Sequence, residues 1–215
     1  MFRIITVERE YGSGAAAIAA ELSRRLGWKL WDQELTQEIA KLANVEHDVV
    51  RRCEERSDSR FQRLAKVFWR GSFERSAQIG AIHVFDTDRW VELGAEVLNK
   101  AAQQGNCIFV GRGAAYLLRE RSDAFHVFLY APRAEKFRRI LKQGKNEREA
   151  NELLDTVDRD RVEFVRHYFN ADWPTRALYH MMLNTAMGDE NVIAAIQNAM
   201  RQLEKKTGVS DTKSV

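Results

Sequence analysis

The sequence predicts an α/β domain built on a parallel sheet, and three observations carry that expectation. Short apolar runs rich in β-branched residues recur along the chain, helical patterns separate them, and the first run gives way to a glycine-containing loop that leads straight into a helix. Strands joined through helices form βαβ units, and such units make parallel sheets.

Composition narrows the class. The 215 residues are 45% hydrophobic and 30% charged, a globular balance that argues against disorder. Lys plus Arg is 34 and Asp plus Glu is 31, a net charge of +3 that does not call for a nucleic-acid partner. No apolar run approaches the roughly 18 residues needed to span a bilayer. The opening Met1-Phe2-Arg3-Ile4-Ile5-Thr6-Val7-Glu8 is too short and too soon charged for a signal peptide, so a cytoplasmic protein without a membrane partner is expected. Cys53 and Cys107 are too few for a disulfide framework or a zinc ligand set. His47, His83, His126, His167 and His180 show no metal-ligand spacing.

The elements follow in order. Phe2 to Val7 reads as a buried strand, broken by Glu8-Arg9-Glu10-Tyr11-Gly12-Ser13-Gly14; Ala15 to Leu26 has strong helix propensity, and Gly27 supplies its stop. Trp28 to Trp31 is a second strand, followed by Asp32 and a helix from about Gln33 to Ala43. Residues 46 to 104 are helical in pattern and arginine-rich, with a weak stretch from Gly71 to Gly80. Asp86 or Asp88 is placed to cap the helix carrying Trp90, Leu93, Val97 and Leu98, which Gly105 ends. The alternation resumes with strands at Cys107 to Val110 and Phe125 to Tyr130, then a charged helical stretch from 133 to 169 interrupted near Gly144. A short strand at Met181 to Leu183, a helix from Asn191 to Leu203 and a polar, frayed tail from Lys205 to Val215 complete the chain.

Ligands of parallel α/β sheets sit beyond the carboxyl ends of the strands. That rule selects Glu8 to Gly14, Asp32, Gly111 to Gly113, Ala131 to Arg133, and Asn184-Thr185. A strand, a loop with Gly12-Ser13-Gly14 and a helix form a setting in which backbone amides and a helix dipole cradle phosphate. The full phosphate-binding pattern G-x-x-x-x-G-K-[ST] is incomplete, because Arg9 stands at the first glycine, Ala15 at the lysine and Ala16 at the hydroxyl. An ordinary strand-to-helix turn accounts for this loop equally well.

The string Ile5-Thr6-Val7-Glu8-Arg9-Glu10-Tyr11-Gly12-Ser13-Gly14 resembles the opening of the cytidylate kinase-like proteins, a branch of the nucleoside monophosphate kinases among the P-loop NTPases. Four later segments continue the resemblance in order: Trp31-Asp32-Gln33-Glu34-Leu35, Val110-Gly111-Arg112-Gly113-Ala114, Val127 to Pro132, and Val157-Asp158-Arg159-Asp160-Arg161. Leu183-Asn184-Thr185 closes the series. The resemblance implies a three-layer P-loop kinase fold with a five-stranded parallel sheet, occupying residues 1–204. Residues 33–104 would be a helical insertion for the nucleoside monophosphate, 142–169 a helical lid, and 205–215 a flexible tail. It implies transfer of the γ-phosphoryl group of ATP to CMP, dCMP or a related small acceptor, with Mg2+.

By that resemblance Arg9, Gly12, Ser13, Gly14, Ala15 and Ala16 would bind the ATP phosphates, and Asp32, Arg112 and Gly113 the acceptor. Arg112, Arg159 and Arg161 would be catalytic. Arginines suit the task because a guanidinium stays charged and grips phosphate in bidentate fashion. Each has a plainer alternative: Arg112 as a surface residue capping the next helix, Arg159 and Arg161 on a solvated face. The last two project about 200° apart and cannot both meet one ligand on a regular helix. Asp32 either caps a helix or recognises a nucleotide; Glu8 either binds magnesium through water or neighbours other charges. Arg138 and Arg139 are expected to face solvent or pair with carboxylates. Trp69, Phe73, Phe85 and Trp90 either stack a base or, as is more usual for such aromatics, belong to the core, and they carry no assignment. Ala15-Ala16-Ala17 removes the basic side chain many members carry there, and glycines stand where well-studied cytidylate kinases flank the arginine with aspartates. A regulatory nucleotide-binding module that lost the chemistry is therefore the rival reading, and an arginine-rich nucleic-acid binder a weaker third.

Overall fold

The computed structural model describes residues 1–32, positions 34, 35, 38, 39 and 42 of the helical segment that follows, and residues 87–210. Most of the insertion expected from 33 to 104 lies outside the described residues, as do Cys53, His47, His83, Trp69, Phe73, Phe85, Asp86 and the side chain of Trp90.

Five strands, β1 (Ile4–Arg9), β2 (Lys29–Trp31), β3 (Cys107–Val110), β4 (Ala124–Tyr130) and β5 (Met181–Asn184), form one sheet in the order β2-β3-β1-β4-β5. Every pairing is parallel, with Ile4 opposite both Cys107 and Ala124. The strand expected to end at Val7 runs on through Glu8 and Arg9, because these pair with Phe128 and Leu129 of β4. A charge pattern that suggests a loop is here drawn into the sheet, and both side chains are buried.

Strand periodicity sorts the side chains into two layers. Ile5 and Val7 of β1 and Phe125, Val127 and Leu129 of β4 face Ile18, Ala19 and Leu22 of helix α1 (Ala15–Leu26) and Val192, Ile193 and Ile196 of the closing helix. Ile4, Phe109 and Ala124 face the other way, toward Leu93, Val97 and Leu98 of α2 (Thr87–Gln104) and the end of the long charged helix. α1 buries positions 15, 18, 19 and 22, the spacing of one helical face, and stops at Gly27 with φ 65°.

The short helix α3 (Ala114–Leu117) follows β3. The charged stretch resolves into α4 (Arg133–Lys142) and α5 (Glu147–Phe169), and Asn146 opens the latter with a reciprocal capping box to Glu149. The break at 143–146 is where Gly144 takes φ 87°. The Tyr11 ring packs between these helices, against Ile140, Ala150, Leu154 and Val157. α6 (Asp189–Ser210) begins two residues before, and ends seven after, the expected 191–203, so the helix enters the stretch read as a tail. Residues 211–215 lie outside the described part.

Candidate functional site

β1 and β3 are neighbours in the middle of the sheet, and each ends in a Gly-x-Gly turn. After β1, Gly14 caps α1 from the left-handed region (φ 82°), no side chain caps that helix and its first turn carries no acidic residue. The amino end of α1 therefore keeps its dipole and backbone donors for a ligand of negative charge. Ala15 is buried in the aliphatic core beneath α1 and Ala16 is half-buried, so the lysine and hydroxyl positions present only methyl groups.

After β3, Gly111, Arg112 and Gly113 take three positive φ values in succession, 66°, 56° and 70°. Left-handed backbone is costly for an arginine, and strain of this kind gathers at functional sites. The turn aims the Arg112 side chain into the protein, where it is 3% exposed and its Nη1 lies 3.4 Å from Asp32 Oδ1. Arg112 is thus neither a surface residue nor a helix cap. Arg9, at the end of β1, lies against Gly111, whose missing Cβ would collide with the guanidinium. Burial and the nearby charge of Arg161 bring the Arg9 guanidinium down to about 10, and it remains a cation at neutral pH.

Arg161 completes the group. α5 buries Ala150, Leu154, Val157, Arg161, Phe164 and Val165 along one stripe, and the arginine interrupts an otherwise apolar face. Its Nη1 donates to the Arg9 carbonyl at 2.7 Å and to Asp158 Oδ1 at 2.8 Å. Arg159, two residues earlier, is exposed. Three buried guanidinium groups thus gather at the ends of β1 and β3, with Asp32 and Asp158 against two of them. Guanidinium groups held in place by buried carboxylates are preorganised to grip phosphate oxygens.

Glu8 shares the centre of this group. Burial pushes its carboxyl up, against the opposing pull of Arg9, Arg161, the Trp173 indole and the Gly113 amide. Its Oε1 is buried with no hydrogen-bond partner, as is Ser13 Oγ. A carboxylate flanked by two guanidinium groups does not suit a divalent cation, and Ala16 offers no hydroxyl. Among the described residues, no group of three or more His, Cys, Asp or Glu side chains gathers to hold a metal. The residues present do not fit a protein-held magnesium.

Two cations lie beside the glycine loop: Lys136, which the sequence reading did not single out, and Arg139, expected to face solvent or pair with a carboxylate. Arg138 does pair with Glu135 at the surface, but Arg139, also paired with Glu135, continues across Gly14 to donate to the carbonyls of Ser13 and Thr185. Thr185, fully buried after β5, donates its own hydroxyl to Ser13 O at 2.6 Å. Lys136 lies beside Gly12, with Nζ 2.9 Å from Glu10 Oε2 and 3.7 Å from Asp158 Oδ2. The one available signal was positional: both residues follow Pro132 on the helix that leaves β4, at the end of the sheet that carries the loop. The structure brings together Glu8, Arg9, Gly12 to Ala16, Asp32, Arg112, Gly113 and Arg161, and leaves Arg159 outside.

A five-stranded parallel sheet in the order 2-3-1-4-5, with a glycine loop after its central strand, defines a P-loop kinase-like protein. The cytidylate kinase-like family model matches residues 4–187, and the chain belongs to that family. It is 27% identical over 127 residues to a cytidylate kinase of Methanosarcina mazei, an alignment covering 56% of this chain and 69% of that protein. Its fold is similar to that of an uncharacterized protein from Eubacterium ventriosum, with TM-score 0.60, 17% identity, and 90% and 98% of the two chains covered. A shikimate kinase from Bacteroides thetaiotaomicron has TM-score 0.51 and 16% identity over 92% and 98%. No described helix is long and apolar enough to cross a membrane.

Proposed function

We propose that this chain is a nucleoside monophosphate kinase-like phosphotransferase, moving the γ-phosphoryl group of ATP to CMP, dCMP or a related small acceptor. The observation that carries this reading is the burial of Arg9, Arg112 and Arg161 around one point beside an uncapped helix amino end. Phosphoryl transfer needs little covalent help; it needs two polyanions aligned and their charge offset where water is excluded. In this reading the loop from Gly12 to Ala16 holds the donor phosphates. Arg112, fixed by Asp32 and its glycines, holds the acceptor phosphate, whose oxygen attacks the γ-phosphorus as ADP leaves. Arg161 offsets the transferring charge from α5, within the lid proposed over 142–169. Magnesium would travel on the nucleotide's own phosphates.

A specific observation favours a second reading. With Ala15 packed into the core and Ala16 bearing a methyl group, the loop lacks the side chains that usually bind the terminal phosphates, and a nucleotide-binding regulator of the same fold needs only the backbone cradle. Nucleoside diphosphate formation from Mg-ATP, across a panel of ribo- and deoxyribonucleoside monophosphates, separates the two. The kinase predicts turnover with a cytidine acceptor; absence of turnover from protein that ATP still stabilises against heat establishes the regulator.

A further inference from the structure

We infer that the Asp158 carboxylate is a built-in stand-in for a phosphoryl group, held at the glycine loop by the Tyr11 amide, Arg161 and Lys136, and that a bound phosphate displaces it. This rests on the proposal that the loop binds a polyphosphate, and it names the cations that act in place of the absent loop lysine.

The donors around Asp158 are of the kind that surround phosphate. Tyr11 belongs to the loop itself, and its backbone N–H donates to Asp158 Oδ1 at 2.8 Å. The same oxygen accepts from Arg161 Nη1 at 2.8 Å, and the other oxygen lies 3.7 Å from Lys136 Nζ. One loop amide, one guanidinium and one ammonium thus converge on a single oxyanion that comes from a different element, 147 residues further along the chain. Loop amides of this kind are anion ligands, and both cations are predominantly buried, with side chains 8% and 13% exposed.

Lys136 has the right origin for its role. It leaves α4 beside Gly12, close enough that a Cβ on that glycine would sit 3.1 Å from the lysine Cβ. It thus brings an ammonium group to the loop from outside, while Ala15 brings none from within. A phosphoryl oxygen carries more charge than a carboxylate, so the same donors bind it more strongly. An internal competitor reduces apparent affinity by the fraction of molecules in which it holds the site.

Calorimetric titration of the full chain with inorganic pyrophosphate and with ATP, at fixed ionic strength, tests this. Asp158→Asn is expected to bind pyrophosphate at least about fivefold tighter than the wild type. Asp155→Asn makes the same charge change on the same helix at a surface pair with Arg133, and is expected to stay within about twofold. Lys136→Met in the Asp158→Asn background is expected to lose about tenfold. Asp158→Asn binding no tighter than Asp155→Asn, or not binding at all, overturns the inference. In wild-type protein the carboxyl carbon resonance of Asp158 must move on pyrophosphate addition while that of Asp155 stays; an unmoved Asp158 overturns it even if the variant misfolds. Tighter pyrophosphate binding without phosphorylation of any nucleoside monophosphate would uphold the inference and remove the kinase reading.

Discussion

Two turns of nearly the same sequence pattern, Gly12-Ser13-Gly14 and Gly111-Arg112-Gly113, close the adjacent strands β1 and β3. Each ends in a glycine of left-handed conformation that begins a helix with alanine, Gly14 at φ 82° and Gly113 at φ 70°. They part in what stands between the glycines. Ser13 hides a small side chain, and the turn presents backbone to a helix of 12 residues. Arg112 is long, and its turn presents a guanidinium while the following helix has only 4 residues. One local motif thus yields two kinds of anion contact: a dipole with amides, and a fixed cation. A phosphotransferase that aligns two phosphates uses both.

The largest effect is expected from the side-chain turn. Arg112→Ala should lower kcat for phosphoryl transfer by about 10²- to 10³-fold, the loss typical when one charge-stabilising donor is removed from a transition state. A steady-state assay that finds less than a tenfold loss would place the acceptor phosphate elsewhere. Next comes Arg161, which ties α5 to the first turn through the Arg9 carbonyl. Arg161→Ala should cost about 2–4 kcal/mol in urea unfolding, since it leaves Asp158 without its guanidinium in a largely buried place. Arg159→Ala, on the exposed side, should stay within about 0.5 kcal/mol. Equal losses for the two would break the assignment of α5's faces.

The glycines allow a finer contrast. A methyl group at Gly113 would run into the Phe169 ring, which is stacked on Tyr116, whereas at Gly14 it meets the far end of the unbranched Arg139 side chain. Both substitutions also strain left-handed backbone, by about 1–3 kcal/mol. Gly113→Ala should therefore lower the melting temperature more than Gly14→Ala, and Gly14→Ala should weaken ATP binding more. The reverse order in calorimetry would mean that the first turn is structural and the second holds the donor.

The smallest effect concerns Glu8, which is buried near Arg9 and the Gly113 amide. Its carboxyl is raised by burial, so the folded state holds the proton more tightly than the unfolded chain. Stability from that proton is present in acid and is lost as pH rises through the folded-state pKa. Glu8→Gln should accordingly raise the melting temperature at pH 8, with the gain fading toward pH 4. A gain that grows in acid would refute the sign.

The order of strands and helices was legible because apolar period and helix stops are local properties. α1 ends at Gly27, and the charged stretch breaks near Gly144, between α4 and α5, as the glycines indicate. The candidate residues Arg112 and Arg161 were legible as arginines near strand ends or in a family-like string, but their burial was not. Helical geometry foresaw that Arg159 and Arg161 diverge; it could not say which one turns inward until the stripe from Ala150 to Val165 met the core. Lys136 was overlooked, and Arg139 was foreseen only as carboxylate-paired and not as reaching the loop, because a charge run looks the same whether it faces water or a loop.

The sequence by itself determined the α/β class, the parallel connections and the absence of loop side chains at Ala15 and Ala16, since these depend on residue type and spacing along the chain. Only the tertiary structure decided that Glu8 and Arg9 belong to a strand, that three guanidinium groups share a buried site, and that cations from α4 and α5 reach the loop. Those outcomes depend on which surfaces the crossovers bring together, and charges more than a hundred residues apart interact only once the sheet has set them side by side.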